Sequence, residues 1–153
     1  MATRVPPALN LAVLCSYVDF DADQRPFSLA EPLYALALVP DGRGRLVSDH
    51  FSLYVQLDDE HALGMFWVTA EARTASGFVL PHGRTPPFEV TFDGNPDPVA
   101  PIEVVFDFRD LVFPEPGRYY FHVVCNHMAL HGREPIIAPS CLRVLPREAG
   151  LRG

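Results

Sequence analysis

Histidine and cysteine side chains cluster near the end of the sequence, at His122, Cys125, His127, His131 and Cys141. Thiolate and imidazole groups are common zinc ligands, so this cluster suggests a tetrahedral metal site. Zinc sites usually combine two closely spaced ligand pairs, and only His127 and His131 have such a spacing. In an extended strand Cys125 shares a face with His127 but not with His122. Cys125, His127 and His131 are thus weak metal candidates, and a buried Cys125 beside solvated histidines is the simpler interpretation.

Three alternating carboxylates at Asp19, Asp21 and Asp23 have a spacing found in calcium loops. The rest of that motif is missing, because Gln24 stands where the loop needs glycine and Ala30 where it needs a bidentate glutamate. A cation could instead be shared by several acidic loops, for example those with Asp58, Asp59, Asp93 or Asp97. We expect an acidic, solvated turn at residues 19–23.

The sequence carries no recognisable catalytic motif. It has no G-x-S-x-G elbow, no glycine-rich phosphate loop, no H-E-x-x-H motif and no cysteine in a typical nucleophile context. Its 19 acidic residues allow many carboxylate pairs, but an acid–base pair needs proximity and a shifted pKa, which a sequence does not show. We expect a protein without enzymatic activity and without a cofactor.

Length and charge limit the remaining classes. The 153 residues suit one well-cored domain, which we place at residues 1–146, followed by a flexible tail at 147–153. The net charge is −7 and every basic residue is arginine, so an acidic surface disfavours nucleic acid and anionic membranes as partners. The N-terminal pattern does not resemble a signal peptide, and no apolar run has the length of a membrane span. We expect a cytoplasmic protein.

The three cysteines, Cys15, Cys125 and Cys141, form an odd set without regular spacing. If Leu142 and Val144 face the core, Cys141 points outward while Cys125 points inward, and we expect thiols rather than a disulfide. A one-residue bulge would reverse this argument.

Short apolar-alternating runs separated by 16 prolines and 10 glycines predict many β-strands and no long helix. The pattern favours an all-β, antiparallel two-sheet sandwich of the immunoglobulin-like type with about eight or nine strands, and a closed barrel is the alternative. A helical turn would fit only at residues 58–63, and the proline-rich residues 81–87 are expected to form a connector over the end of the sandwich. The candidate strands are residues 8–18, 33–39, 51–57, 65–73, 78–80, 88–92, 102–108, 119–125 and 136–145.

The segment 113–125 is a turn that leads into a long alternating strand. The spacing Glu115-x-Gly117-x-Tyr119 is typical of a tyrosine corner, in which the tyrosine hydroxyl reaches back to upstream backbone. Tyr119 is therefore predicted to have a structural role.

Residues 11–18, residues 51–55 and the closing pattern Phe113-x-x-x-Gly117-x-Tyr119, with Leu142-Arg143-Val144, resemble a family of small bacterial proteins. That family is known only as a domain of unknown function. The resemblance implies an immunoglobulin-like sandwich and brings no site residues with it.

Aromatic and apolar side chains on the predicted outer face point to surface recognition. Trp67, Tyr120 and Val124 alternate with core positions, and His122 lies on the same side of its strand. An outer sheet face with aromatics often binds a partner, although covering loops would explain the same residues. We therefore expect an interaction module whose partner is another protein or a second copy of the chain.

Overall fold

The computed structural model of the chain describes residues 5–59, 61–95, 102–127, 133–135 and 140–147. These ranges contain thirteen strands and no helix, so the fold is all-β as the sequence predicts. Nine of these strands have six residues or more. The strands are β1 (Ala8–Phe20), β2 (Pro26–Pro32), β3 (Ala35–Leu38), β4 (Leu46–Val47), β5 (Phe51–Asp58), β6 (Leu63–Thr74), β7 (Val79–Arg84), β8 (Phe88–Asp93), β9 (Ile102–Phe108), β10 (Val112–Phe113), β11 (Gly117–His127), β12 (Arg133–Pro135) and β13 (Ser140–Pro146).

The strands form two larger sheets and one small one. The four-stranded sheet has the order β2-β1-β5-β9, and β10 pairs with β4. The seven-stranded sheet has the order β3-β13-β11-β6-β7, with β12 added on β11 and β8 added on β6. Among the described strands, β3 and β13 form the one parallel pair, and the other pairs are antiparallel.

The two larger sheets bury their apolar faces against each other. Phe121 of β11 contacts Phe51 of β5 and Phe108 of β9, with ring centroids 5.6 Å and 5.1 Å apart in edge-to-face geometry. All three rings belong to one buried apolar cluster drawn from both sheets. Alternation along the strands supplies this cluster, because every second side chain of a strand points to the same face. The arrangement is consistent with a β-sandwich.

The tyrosine corner is confirmed. The Tyr119 hydroxyl donates a hydrogen bond of 2.5 Å to the Glu115 carbonyl oxygen and accepts a long one of 3.4 Å from the Glu115 N–H. The Tyr119 ring also packs on Phe113, with centroids 4.8 Å apart. The corner thus fixes the entry of β11 into the seven-stranded sheet.

Three tight loops share one hydrogen-bond pattern. In each loop the backbone N–H of the first residue donates a hydrogen bond to the carbonyl oxygen of the fifth. A side-chain oxygen of the first residue accepts a hydrogen bond from the N–H of the fifth. The fourth residue has a positive φ, which glycine adopts without steric cost. The loops are residues 21–25, 41–45 and 74–78, and their fourth residues are Gln24 (φ 60°), Gly44 (77°) and Gly77 (97°).

Proline-bearing edge strands were missed from the sequence. β2 begins and ends at a proline, and β7 contains Pro81, yet both pair at a sheet edge. An edge strand tolerates proline because one side of its backbone needs no partner in the sheet. The prediction of a connector at residues 81–87 was therefore wrong at 81–84, and Thr85 also stays on β6 through hydrogen bonds with Ala70.

Two further expectations differ from the structure. In residues 58–63, β5 ends at Asp58 and β6 begins at Leu63, and the described residues between them form no helical turn. The alternation of residues 51–57 predicts Ser52 and Gln56 on a solvated face, but Ser52 is buried at 1% exposure, and Tyr54 on the same face is buried at 5%. β5 lies between β1 and β9, and both hydroxyls bond carboxylates of β9, Ser52 to Asp107 and Tyr54 to Glu103.

The chain beyond the last strand is described only to Arg147. The Arg147 N–H donates to the Leu38 carbonyl at 2.7 Å, and the rest of the predicted tail lies outside the described residues. In the described ranges, no helix is long and apolar enough to cross a membrane.

Candidate functional site

The four residues predicted for an interaction surface lie on one face of the β6–β11 strand pair. Along the register, Tyr120 is opposite Arg73, His122 is opposite Glu71 and Val124 is opposite Thr69. The intervening side chains point into the core, so this set points away from it. We call it the β6–β11 face and define it as Met65, Trp67, Thr69, Glu71, Arg73, Tyr120, His122 and Val124.

Exposure varies strongly across the β6–β11 face. Met65 and Trp67 are 43% and 44% exposed. Tyr120 and His122 are half-buried, whereas Val124 is buried at 2%. Trp67 is therefore accessible to a contact, whereas Val124, although on the same side of its strand, is not.

One member of this face, Glu71, is a buried carboxylate. The Glu71 side chain is 0% exposed, and its two oxygens accept hydrogen bonds from Arg73 and, at 2.6 Å, from Arg84 Nε. Two cations share one carboxylate here, so the three groups carry a net charge of +1. Sequence reasoning missed this cluster; the signal was a charged residue at Glu71, in the apolar middle of β6.

His122 lies beside this cluster as a neutral imidazole. Burial is the main cause that lowers the pKa of His122 below its usual 6.5, and the Arg73 charge lowers it further. Glu71 opposes both effects by attracting the protonated form. The lowered pKa favours the uncharged imidazole at neutral pH.

Two polar atoms near the cluster are buried without a hydrogen-bond partner in the described structure, Thr69 Oγ1 and Arg73 Nε. Thr69 is only 6% exposed. Buried polar groups are normally satisfied, so these two atoms are exceptions to the usual pattern. Both belong to the β6–β11 face.

Basic side chains extend this face toward the sheet edge. Arg118 of β11 is directly opposite Arg143 of β13, and both are exposed. Neither makes an ion pair within the described ranges. Like charges directly opposite each other in a sheet are unfavourable. The two arginines are therefore a local positive pair on a protein whose net charge is −7.

Of the three predicted zinc ligands, the structure describes the side chain of Cys125 alone. Cys125 points into the core at 2% exposure, the side chain of His127 is outside the described part, and His131 lies outside the described residues. No group of three His, Cys, Asp or Glu side chains in the described residues is arranged to hold a metal ion. Cys141 is exposed and lies opposite Tyr120, not Cys125, in the register between β13 and β11.

The acidic turn uses its carboxylates internally. Asp21 Oδ1 accepts hydrogen bonds of 2.9 Å from the backbone N–H groups of Asp23 and Arg25. Asp19 accepts one from the Ser28 hydroxyl at 3.1 Å. Of the other acidic candidates, Asp97 lies outside the described residues.

Ser52, His50 and Asp107 meet on the outer side of the four-stranded sheet, but not as a catalytic triad. The Ser52 hydroxyl donates to Asp107 Oδ1 at 2.7 Å, and His50 Nε2 lies 3.0 Å from that same oxygen. A nucleophilic serine needs a base that accepts its own proton and an exposed oxygen. Ser52 is 1% exposed and bonds the carboxylate directly.

Comparison with known proteins places the chain in no group. No protein-family model matches it, and no curated protein is significantly similar to it.

Proposed function

We propose that the chain is a non-enzymatic, immunoglobulin-like β-sandwich module that binds a protein through its β6–β11 face. The observation that carries this proposal is Trp67, which is 44% exposed on a sheet face with neighbouring Met65 also exposed. Tryptophan is among the residues most enriched at the centres of protein interfaces. The tyrosine corner supports the immunoglobulin-like assignment, because that motif is typical of such sandwiches.

The charges of the face indicate the chemistry of the partner. Its apolar end holds Met65 and Trp67, and its other end leads to Arg118 and Arg143. An acidic partner surface would relieve the repulsion between those arginines, and apolar side chains would cover Trp67. A second copy of this chain meets the first condition, since its net charge is −7.

Light scattering combined with a pull-down tests this proposal. Self-association that rises with concentration, or a captured acidic protein, should disappear in Trp67→Ser while the variant unfolds at the same urea concentration as the wild type. The partner should also change the fluorescence of Trp67, the only tryptophan. A strict monomer that captures no protein would contradict the proposal.

A further inference from the structure

The edge of the seven-stranded sheet is built from two strands in line. β7 and β8 pair successively with β6, and Thr85 holds the link between them through its hydrogen bonds with Ala70. Residues 86 and 87 are prolines without N–H groups, which interrupts the pairing. Opposite this edge lies β9, the edge strand of the four-stranded sheet. The two edges enclose a cleft of about 490 Å³, within the range of about 300–1,000 Å³ for small-molecule sites.

Two arginines line this cleft. Arg84 is held by the bond from its Nε to Glu71, and its Nη nitrogens make no hydrogen bond in the described structure. Arg109 is exposed and has no ion pair among the described residues. A guanidinium that is already fixed in place loses little freedom when it binds a carboxylate through two parallel bonds.

The backbone of β7 directs Arg84 by an unusual geometry. His82, which also lines the cleft, has a φ of 62°, a conformation rarely adopted by non-glycine residues. At Gly83 a Cβ atom would come within 2.7 Å of the Leu80 carbonyl oxygen. The register between β6 and β7 shifts at this point, and such irregularities often redirect a side chain next to a binding site.

The remaining walls are mainly apolar and carry one negative charge. Phe88 is 49% exposed, and buried Phe106 contributes from β9. Asp107 also lines the cleft, with Oδ1 engaged by Ser52 and His50. Arg84 also bonds Glu71, so the charges counted together are those of Arg73, Arg84 and Arg109 against Glu71 and Asp107, which leaves a net charge of +1. This charge is neutralised by a monoanion, whereas a dianion would leave excess negative charge beside two carboxylates.

We propose that this cleft binds a small organic carboxylate carried on an apolar ring. The carboxylate lies between Arg84 and Arg109, and the ring packs against Phe88 and the neighbouring prolines. The site adjoins the β6–β11 face through the Arg84–Glu71 bond but does not include Trp67, so the protein has a small-ligand site in addition to its proposed protein-binding surface.

Benzoate titration into ¹⁵N-labelled protein tests this inference, with benzyl alcohol as the neutral ring and phenyl phosphate as the dianion. We expect benzoate to shift the amide signals of Thr85, Phe88 and Arg109. Arg109→Gln should weaken benzoate binding about tenfold, the effect of losing one charged hydrogen bond. The matched variant Arg118→Gln, which removes an exposed arginine outside the cleft, should bind as the wild type does.

Several results would overturn the inference. These are equal benzoate affinity in the Arg109→Gln and Arg118→Gln variants, equally tight binding of benzyl alcohol, or shifts spread over residues outside the cleft. Tighter binding of phenyl phosphate would also overturn the preference for a monoanion. Trp67→Ser should leave the benzoate titration unchanged, which separates this site from the proposed protein interface.

Discussion

Removing the hydroxyl of Tyr119 should lower the free energy of unfolding of the protein. In Tyr119→Phe the 2.5 Å bond donated to the Glu115 carbonyl is lost, as is the 3.4 Å bond from the Glu115 N–H. A single hydrogen bond contributes about 1 kcal/mol net, and the longer bond adds little. Glu115 is exposed, so water can satisfy its carbonyl and the larger penalty for a buried unpaired group does not apply.

The ring contact with Phe113, at 4.8 Å between centroids, persists in the phenylalanine variant. We therefore expect the free energy of unfolding to fall by about 1 kcal/mol, which corresponds to about 2–4 °C in Tm for a domain of this size. Urea unfolding followed by Trp67 fluorescence measures this change, because Trp67 lies on β6, next to β11.

Tyr34→Phe is the matched control, since Tyr34 is 79% exposed and should change stability by less than about 0.5 kcal/mol. If Tyr119→Phe were no more destabilising than Tyr34→Phe, the hydroxyl would not be holding the corner and the reasoning would be refuted.

Three further predictions concern the buried charge, a strained turn and a histidine. Glu71→Gln should lower the free energy of unfolding by about 2–3 kcal/mol, somewhat less than for a fully buried pair because its arginine partners are partly exposed. The control Glu89→Gln, at an exposed position, should change this free energy little. Equal effects of the two variants in urea unfolding would contradict a stabilising role for the Glu71 charge. Gln24→Gly should stabilise the protein by about 0.5 kcal/mol, because relief of the left-handed backbone strain exceeds the added entropy of the unfolded chain. Gly77→Ala should destabilise the protein, because nothing lies near the added Cβ and only the backbone strain remains. Shifts of Tm with the same sign in both variants would refute this reasoning. Because the pKa of His122 is lowered in the folded protein, the unfolded chain binds the proton first as the pH falls, and stability should decrease below about pH 6.5. In His122→Gln the urea midpoint should decline less between pH 7 and pH 5 than in the wild type. The same decline in both proteins would contradict the lowered pKa.

Alternation and spacing predicted the strands and the corner because both depend on neighbours in sequence. The inward residues of β5 and β11, such as Phe51 and Phe121, follow directly from a period of two. Tyr119 bonds a residue four positions earlier, so its spacing was informative.

The charged cluster and the cleft depend instead on register between distant strands. Glu71 meets Arg84 because β7 pairs with β6 across a shift that the sequence does not reveal. The prolines of residues 81–87 suggested a loop, because a sequence does not show which strands lie at an edge. Trp67 and His122 were placed on a common face from alternation, but the burial of Val124 was not foreseeable.

The most direct test of the protein-binding proposal is a photo-crosslink placed on the β6–β11 face. Trp67 is replaced by p-benzoylphenylalanine in the chain expressed in cells, and Tyr34, which is exposed elsewhere, receives the same group in a control. We predict a discrete protein adduct from position 67 that is absent at position 34 and is lost when Met65→Asp is added. No adduct at position 67, or the same adducts at both positions, would contradict the proposal.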